Sequence, residues 1–100
     1  PYRGERGVGG NFVHAGDNLL DKHLFVHRVA PGGFDWGPDA SDEKACQLAI
    51  ALLAHAFDDE FAERHYQRFK REVVAELPEE RWILRKRNLD AWRRKVVDDA

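Results

Sequence analysis

The middle of the chain carries one long apolar run. Between Ala45 and Phe57 only Gln47 and His55 are polar. Ser41 stands ahead of this run and is followed by acidic residues, a pattern typical of a helix start. The pattern predicts a helix from about Ser41 to Phe57, with Ser41 as its N-cap. Because this helix is apolar on nearly all sides, we expect it to be central and buried.

The next segment has apolar residues at helical spacing. It begins with three acidic residues at 58–60 and reaches about Leu77, just before Pro78, which disfavours helix in the residue before it. The apolar residues recur every three or four positions and are Ala62, Tyr66, Phe69, Val73 and Leu77. This spacing predicts a long amphipathic helix.

Two shorter elements are predicted towards the C-terminus. Residues 81–84 fit a short strand or an extended segment. Asn88 is placed to cap a last short helix, in which three apolar residues recur at spacings of three and four, namely Leu89, Trp92 and Val96.

The first forty residues contain all eight glycines, which is typical of strands joined by turns. Residues 12–14 and 23–29 indicate two strands, with a turn at 15–18 between them. We therefore expect an α+β fold. An N-terminal antiparallel hairpin or small sheet packs on the buried helix, followed by an amphipathic helix and a short C-terminal helix. Residues 1–100 are expected to form a single domain.

Composition and charge exclude several classes of protein. The hydrophobic fraction of 43% argues against intrinsic disorder, and a net charge of −2 argues against a uniformly basic nucleic-acid binder. No apolar run is long enough to span a membrane and no signal peptide is visible, so no membrane partner is expected. The single cysteine, Cys46, cannot form an internal disulfide, and we expect a reducing, cytoplasmic location.

Several short stretches resemble one family of small prokaryotic and mobile-element proteins of unknown function. They are Tyr2-Arg3-Gly4, Gly33-Phe34-Asp35-Trp36-Gly37, Gln47-Leu48-Ala49-Ile50-Ala51-Leu52-Leu53, Tyr66 with Phe69-Lys70, Leu77-Pro78 and Trp82-Ile83-Leu84. That family carries a glycine-rich Y-G-G-S-G-P-A stretch where this chain has the more acidic residues 38–46. The resemblance implies an α+β fold and supplies no activity.

The residues that most often carry catalysis are few. Ser41 is the only serine and is expected to cap a helix, Cys46 lies in the apolar run, and threonine is absent. The glycines at 4–10 match no phosphate-binding signature. His14 could face His23 or His27 across a hairpin, but no complete metal-ligand pattern occurs. We therefore predict no catalytic residue, no cofactor and no metal site.

Two aromatic residues, Phe34 and Trp36, stand between glycines and admit two interpretations. In the first, both pack in the core, with Trp36 between the sheet and the first helix. In the second, they form a partly exposed aromatic platform for a ligand or a partner.

Charge is distributed unevenly along the chain. Residues 1–60 contain 5 basic and 10 acidic side chains, whereas residues 61–100 contain 11 basic and 8 acidic ones. The densest basic segment is interleaved with Trp82 and Trp92 and comprises Arg81, Arg85, Lys86, Arg87, Arg93, Arg94 and Lys95. Such a segment suits single-stranded nucleic acid or an acidic protein, or it is a solvated helix face with both tryptophans buried.

The absence of a catalytic pattern together with the segregated basic segment favours a non-enzymatic binding or regulatory module whose partner is a protein. Nucleic-acid binding through the basic C-terminal surface is the first alternative. A small enzyme with an unrecognised carboxylate or histidine site is the second, since residues 58–60 carry adjacent carboxylates.

Overall fold

The computed structural model describes residues 1–24, 29–30 and 32–99. Within these residues four strands and three α-helices form an α+β fold, as the sequence predicts. In chain order they are β1 (Tyr2–Gly7), β2 (Gly10–Ala15), β3 (Asn18–Leu19), α1 (Asp42–Ala56), α2 (Asp59–Glu72), β4 (Arg81–Leu84) and α3 (Lys86–Asp99). A 3₁₀ turn at Val74–Glu76 follows α2. None of the helices described is long and apolar enough to cross a membrane.

The strands form one antiparallel sheet in the order β3-β2-β1-β4. Tight turns join the first three strands in sequence, whereas β4 arrives from the far end of the chain and pairs with β1. The register places Gly4 opposite both Val13 and Trp82. Because side chains alternate along a strand, this row lies on the inner face of the sheet, where Val13 and Trp82 are buried.

The inner face requires a glycine at position 4. A Cβ atom at Gly4 would lie 2.2 Å from Cε2 of Trp82, far inside van der Waals contact. The indole of Trp82 therefore lies directly on the β1 backbone. The opposite face of the sheet carries the exposed side chains of Phe12, Leu19 and Ile83.

Helix α1 is the buried centre of the fold, as expected from its apolar run. Residues from Ala45 to Ala54 are all buried. Ser41 occupies the N-cap position, as predicted, although its side chain makes no capping hydrogen bond. The Ser41 N–H instead donates to the carboxylate of Asp35, at 3.3 Å.

The predicted strand at residues 23–29 falls partly on 25–28, which lie outside the described residues. The described part is not a strand. His23 has a positive φ of 53°, which is incompatible with extended backbone. The N–H groups of Val29 and Ala30 both donate to Oε1 of the buried Gln47, at 2.8 Å each, and so bond to α1 rather than to a sheet. A short strand forms earlier, at Asn18–Leu19, where the turn composition pointed only to a turn.

The second helix ends at Glu72, five residues before the predicted end at Leu77. The chain tightens into the 3₁₀ turn there, and the C=O of Val74 accepts a hydrogen bond from Gly37 N–H at 3.0 Å. Val74 is thereby buried in the core. At the other end of α2, Asp58 provides a side-chain cap and accepts from Phe61 N–H at 2.7 Å.

The C-terminal helix is longer than predicted and starts earlier. It spans Lys86–Asp99, 14 residues, as many as α2. Asn88 lies within its first turn and is not the N-cap residue. Its side-chain oxygen accepts a hydrogen bond from the N–H of Arg85 at 2.9 Å. Asn88 therefore reaches back to the backbone of the residue that precedes the helix, as the fourth residue of a capping box does. Leu89, Trp92 and Val96 face the core as their spacing predicts.

Candidate interaction surface

Phe34 and Trp36 belong to the core. Their exposed fractions are 7% and 0%, so the aromatic-platform interpretation is wrong for these two side chains. The Trp36 indole N–H donates to the C=O of Glu79 at 2.9 Å, and its ring meets Trp82 edge-to-face at 5.6 Å. Gly33 and Gly37 on either side have φ of 144° and 91°, values that L residues rarely adopt.

Arg6 and Asp35 lock this segment against the sheet. One Arg6 nitrogen donates to Oδ1 of Asp35 at 3.0 Å and to Asn11 at 3.1 Å, and the other donates to the C=O of Trp36 at 3.0 Å. The guanidinium also lies over the Trp36 ring, 4.8 Å from its centre. We call this set of residues (Arg6, Asn11, Asp35 and Trp36) the N-terminal clamp.

Burial alone would raise the pKa of Asp35. Hydrogen bonds from Trp36 N–H, from Arg6 and from Ser41 N–H outweigh that effect, so the pKa of this carboxyl is lowered. Asp35 is therefore ionised at neutral pH, and its charge is neutralised internally by Arg6.

The basic C-terminal residues do not form one patch. Successive residues of a helix are rotated by about 100° around its axis, so the exposed residues of α3 fall on three sides of the helix, which we call its flanks. Lys86 and Arg93 share one flank and Arg87 and Arg94 share the next, while Lys95 lies beyond these, beside Glu72 of α2. Arg81 belongs to β4 and Arg85 joins that strand to the helix. The two interleaved tryptophans, at positions 82 and 92, are buried, with exposed fractions of 4% and 8%.

The flank of α3 that carries Lys86 and Arg93 packs against Phe57, which lies between α1 and α2. Nζ of Lys86 lies 4.6 Å from the ring centre of Phe57, and Cζ of Arg93 lies 4.8 Å from the same ring. Lys86 also pairs with Asp90 at 2.7 Å. The quadrupole of an aromatic ring attracts a cation placed over its face, so these contacts stabilise the packing of α3 against Phe57.

Lys95 also forms an ion pair within the protein. Its ammonium lies 3.4 Å from Oε1 of Glu72, which also accepts from the Trp92 indole N–H at 3.1 Å. A hydrogen bond from Arg68 is the main cause of a lowered pKa for Glu72. In contrast, Arg87 and Arg94 are exposed and form no ion pair within the described part of the chain.

The outer edge of β4 is open. Within the described residues β4 ends the sheet, and its neighbour on the other side is β1. The Arg6 N–H donates to the C=O of Glu80 at 3.1 Å. Because hydrogen bonding alternates in antiparallel pairs, Trp82 and Leu84 also bond to β1, whereas the N–H and C=O groups of Arg81 and Ile83 point outward.

An apolar groove runs beside this edge, between β4, the C-terminal half of α2 and α3. Its volume is about 510 Å³. The lining is mostly apolar and consists of Phe69, Val73, Ile83, Leu84, Asn88, Leu89, Ala91, Trp92 and Lys95. Ala91 is four residues after Arg87 and three before Arg94, so both arginines are neighbours of this lining residue on the solvent side of α3 and border the groove without lining it. We call this feature the β4–α3 groove.

Reasoning from the sequence missed the groove. The segment 81–84 was a possible strand, but nothing in it shows that β4 lies at the edge of the sheet. The spacing of Leu89, Trp92 and Val96 gave only the buried face of α3. One signal was available, since Ile83 lies between Trp82 and Leu84 and in a strand points to the opposite face from both.

The histidines also fall differently from the expectation of a pair across the hairpin. His14 lies on the outer face, opposite Arg3 and Leu19, and His27 lies outside the described residues. His23 instead approaches His55, with ring centres 6.5 Å apart. Among the described residues no group of three His, Cys, Asp or Glu side chains is placed to hold a metal ion.

His55 and Cys46 both lie on α1. The hydroxyl of Tyr2 is hydrogen-bonded to Nδ1 of His55 at 2.8 Å, which ties β1 to the end of α1. Burial raises the pKa of the Tyr2 hydroxyl. Cys46 is buried, and burial likewise raises the pKa of its thiol, which keeps it protonated and a poor nucleophile.

Comparison with known proteins gives a family and no activity. A family model matches residues 2–95, and it describes a family of unknown function, DUF6166. No curated protein and no solved structure matches the chain.

Proposed function

Since the chain belongs to DUF6166, a family without an assigned activity, we propose from its surface that it is a non-enzymatic protein-binding module. The proposed binding site is the β4–α3 groove with its basic border. The observation that carries the proposal is the coincidence of three features there: an open strand edge, an apolar groove and two arginines without an ion pair in the described residues.

The groove suits a protein better than a nucleic acid. A partner's apolar side chains can fill a cavity lined by leucine, valine and aromatic residues. A phosphate backbone along α3 would meet Asp90 and Asp98 between the bases. The whole chain is also acidic, with a net charge of −2.

The buried Cys46 thiol with its raised pKa and the structural position of Ser41 support a non-enzymatic role. We further propose that the protein acts in the cytoplasm, since its single cysteine is a free, buried thiol. A prokaryotic or mobile-element source is part of the same proposal and is supported by the sequence resemblance alone.

Capture from source-cell extract, with and without nuclease, tests the proposal when two charge-matched variants accompany the wild type. R87E/R94E alters the border of the groove, and K44E/R71E makes the same charge change at exposed positions of α1 and α2. We expect a protein, identified by mass spectrometry, that survives nuclease and is lost with R87E/R94E. Titration with that purified protein should show affinity at least about tenfold weaker for R87E/R94E and nearly unchanged for the control.

Three outcomes would contradict the proposal. They are capture of no protein, loss of every captured protein after nuclease, and equal binding by the two double variants. The second of these would favour the alternative function instead.

Nucleic-acid binding is the second candidate function. The exposed guanidinium groups of Arg87 and Arg94, which form no ion pair with any residue that the structure describes, favour it, because such groups neutralise phosphates. A mobility-shift titration with short single- and double-stranded DNA and RNA at low salt provides the test. Binding through these bases predicts a log–log salt slope of roughly −0.7 per contacted phosphate on a single strand. No shift at tens of micromolar protein would rule it out.

A further inference from the structure

We propose that the β4–α3 groove receives an extended, acidic segment of a partner protein, which adds to β4 as an antiparallel strand. This inference rests on the proposed function and specifies the partner's chemistry and binding mode.

The backbone of β4 sets the shape of the ligand. Arg81 and Ile83 each present an outward N–H donor and an outward C=O acceptor, two residues apart along the strand. Residues two apart in a strand are separated by about 6.8 Å. An extended peptide backbone offers complementary donors and acceptors at this same repeat, whereas a helix has already used its own.

The groove sets the character of alternate side chains. In an added strand, the residues opposite Leu84 and Trp82 point to the inner side of the sheet. On that side lie Leu89 and Trp92 of α3, which line the groove. The partner should therefore be apolar at these alternate positions.

Charge sets the remaining positions. On the outer face the added strand meets Arg81, and beyond the end of β4 it meets the exposed Arg85. Arg87 and Arg94 lie beside the lining residue Ala91, on the solvent side of α3. Opposite charges directly across a strand pair stabilise it and like charges destabilise it, so acidic residues fit these positions.

Charge also argues against a second copy in the simplest arrangement. In self-pairing centred on Ile83, Arg81 of one copy would stand opposite Arg85 of the other. A basic residue on a short edge strand is a common means of preventing such association. The same residue admits an acidic strand.

The direction follows from the charge gradient along the edge. Glu79 and Glu80 precede β4, and bases at 85–87 follow it. An antiparallel partner therefore places its acidic end first. The other pairs of the sheet are antiparallel as well.

The test uses a synthetic peptide, acetyl-Glu-Glu-Val-Thr-Val-Glu-Thr-amide. It is added to the protein in an amide-resolved NMR titration up to about 1 mM, so that a Kd near 1 mM is still detected. It places glutamates opposite positions 81 and 85 and valines towards the groove. We expect the amides of Arg81 and Ile83, which point away from β1, to shift and to become protected from exchange when the peptide binds. A peptide with lysine at the three glutamate positions should bind at least about tenfold more weakly.

The matched variants are Ile83→Pro and Ile83→Thr. Proline removes the outward N–H and is tolerated on an edge strand at such a position, whereas threonine retains it. We expect affinity for the peptide to be at least about tenfold weaker with proline than with threonine, because both substitutions remove the apolar side chain and only proline removes the N–H, while both variants keep the melting transition of a folded protein.

The inference is overturned if the amides of Arg81 and Ile83 neither shift nor become protected at about 1 mM peptide, if the lysine peptide binds equally well, or if the two variants bind alike. It is also overturned if sedimentation shows a dimer that Ile83→Pro dissociates, since the occupant is then a second copy. If a captured protein is lost with R87E/R94E but unaffected by Ile83→Pro, this inference fails and the proposed function stands.

Discussion

The molecule contains two groupings of arginine and tryptophan, and they are used in opposite ways. In the N-terminal clamp, Arg6 gives hydrogen bonds to a carboxylate, an amide and a backbone carbonyl, and it covers Trp36. Near the C-terminus the tryptophans are equally buried, but Arg87 and Arg94 are exposed and border an open groove. The first grouping closes the fold, and the second is available to a partner.

The difference lies in what surrounds each guanidinium. Arg6 extends from β1 towards a loop whose carbonyl and carboxylate groups need donors once buried, so its bonds satisfy groups that would otherwise be costly to bury. Arg87 and Arg94 lie on the solvent side of an amphipathic helix, where water already satisfies them. Residue type alone therefore does not identify an interaction surface in this chain.

The substitution Trp36→Ala should have the largest effect on stability and tests whether the N-terminal clamp belongs to the folding core. Trp36→Ala should lower the free energy of unfolding by about 3–5 kcal/mol, because a fully buried indole is lost and a cavity is left in the core. Urea denaturation followed by circular dichroism measures this. Wild-type stability in this variant, with loss of a binding partner, would show that Trp36 is a contact residue after all.

A smaller effect is expected where the inner face of the sheet meets Trp82. Gly4→Ala forces a Cβ into the indole and should cost about 1–3 kcal/mol through overpacking. Gly9→Ala is the control, since a Cβ there would meet Phe12 only at 3.7 Å, an ordinary contact. Denaturation midpoints that are equal for the two variants would contradict the packing of Trp82 on β1.

The carboxylate charge of Asp35 in the N-terminal clamp should contribute less to the free energy of unfolding than the packing tested by the two preceding substitutions. Asp35→Asn weakens the bonds from Arg6, Trp36 N–H and Ser41 N–H and should cost about 1.5 kcal/mol at neutral pH, the lower range for hydrogen bonds to a charged group. Because the pKa of Asp35 is lowered on folding, its contribution is present above the unfolded pKa, about 3.9, and is lost as pH falls through the lower folded value.

The difference in stability between wild type and Asp35→Asn should therefore shrink in the acid range, below about pH 4. Thermal unfolding across pH 2–7 provides the measurement. A difference that stays constant over this range would mean that the carboxylate charge plays no part in the clamp.

The smallest effect on stability is expected at the border of the β4–α3 groove. R87E/R94E should change the free energy of unfolding by no more than about 0.5 kcal/mol, because both side chains are exposed and form no ion pair in the described residues. Together with the loss of partner binding proposed above, this would separate a surface used for binding from the clamp used for folding. A loss of more than about 1 kcal/mol would place these arginines in the folding framework instead.

Local patterns were sufficient for much of the fold. The apolar run of α1, the helical spacing in α2 and α3 and the extended segment 81–84 all reflect short-range sequence periods that survive in the structure. They failed where a distant group took over a local role. Asp35 accepts from the N–H of Ser41, whose own side chain forms no capping bond, and Gln47 accepts from the backbone N–H groups of Val29 and Ala30.

The sequence by itself determined the class of the fold, the buried helix and the basic bias of the last forty residues, because these depend on composition and on periods of two and 3.6 residues. Only the tertiary structure decided that Trp36 is internal, that the seven bases are divided among several flanks, and that β4 lies at an open edge beside a groove. Those properties depend on which segments meet across the core, and the pairing of β4 with β1 joins residues almost the full chain length apart. No local pattern carries that information.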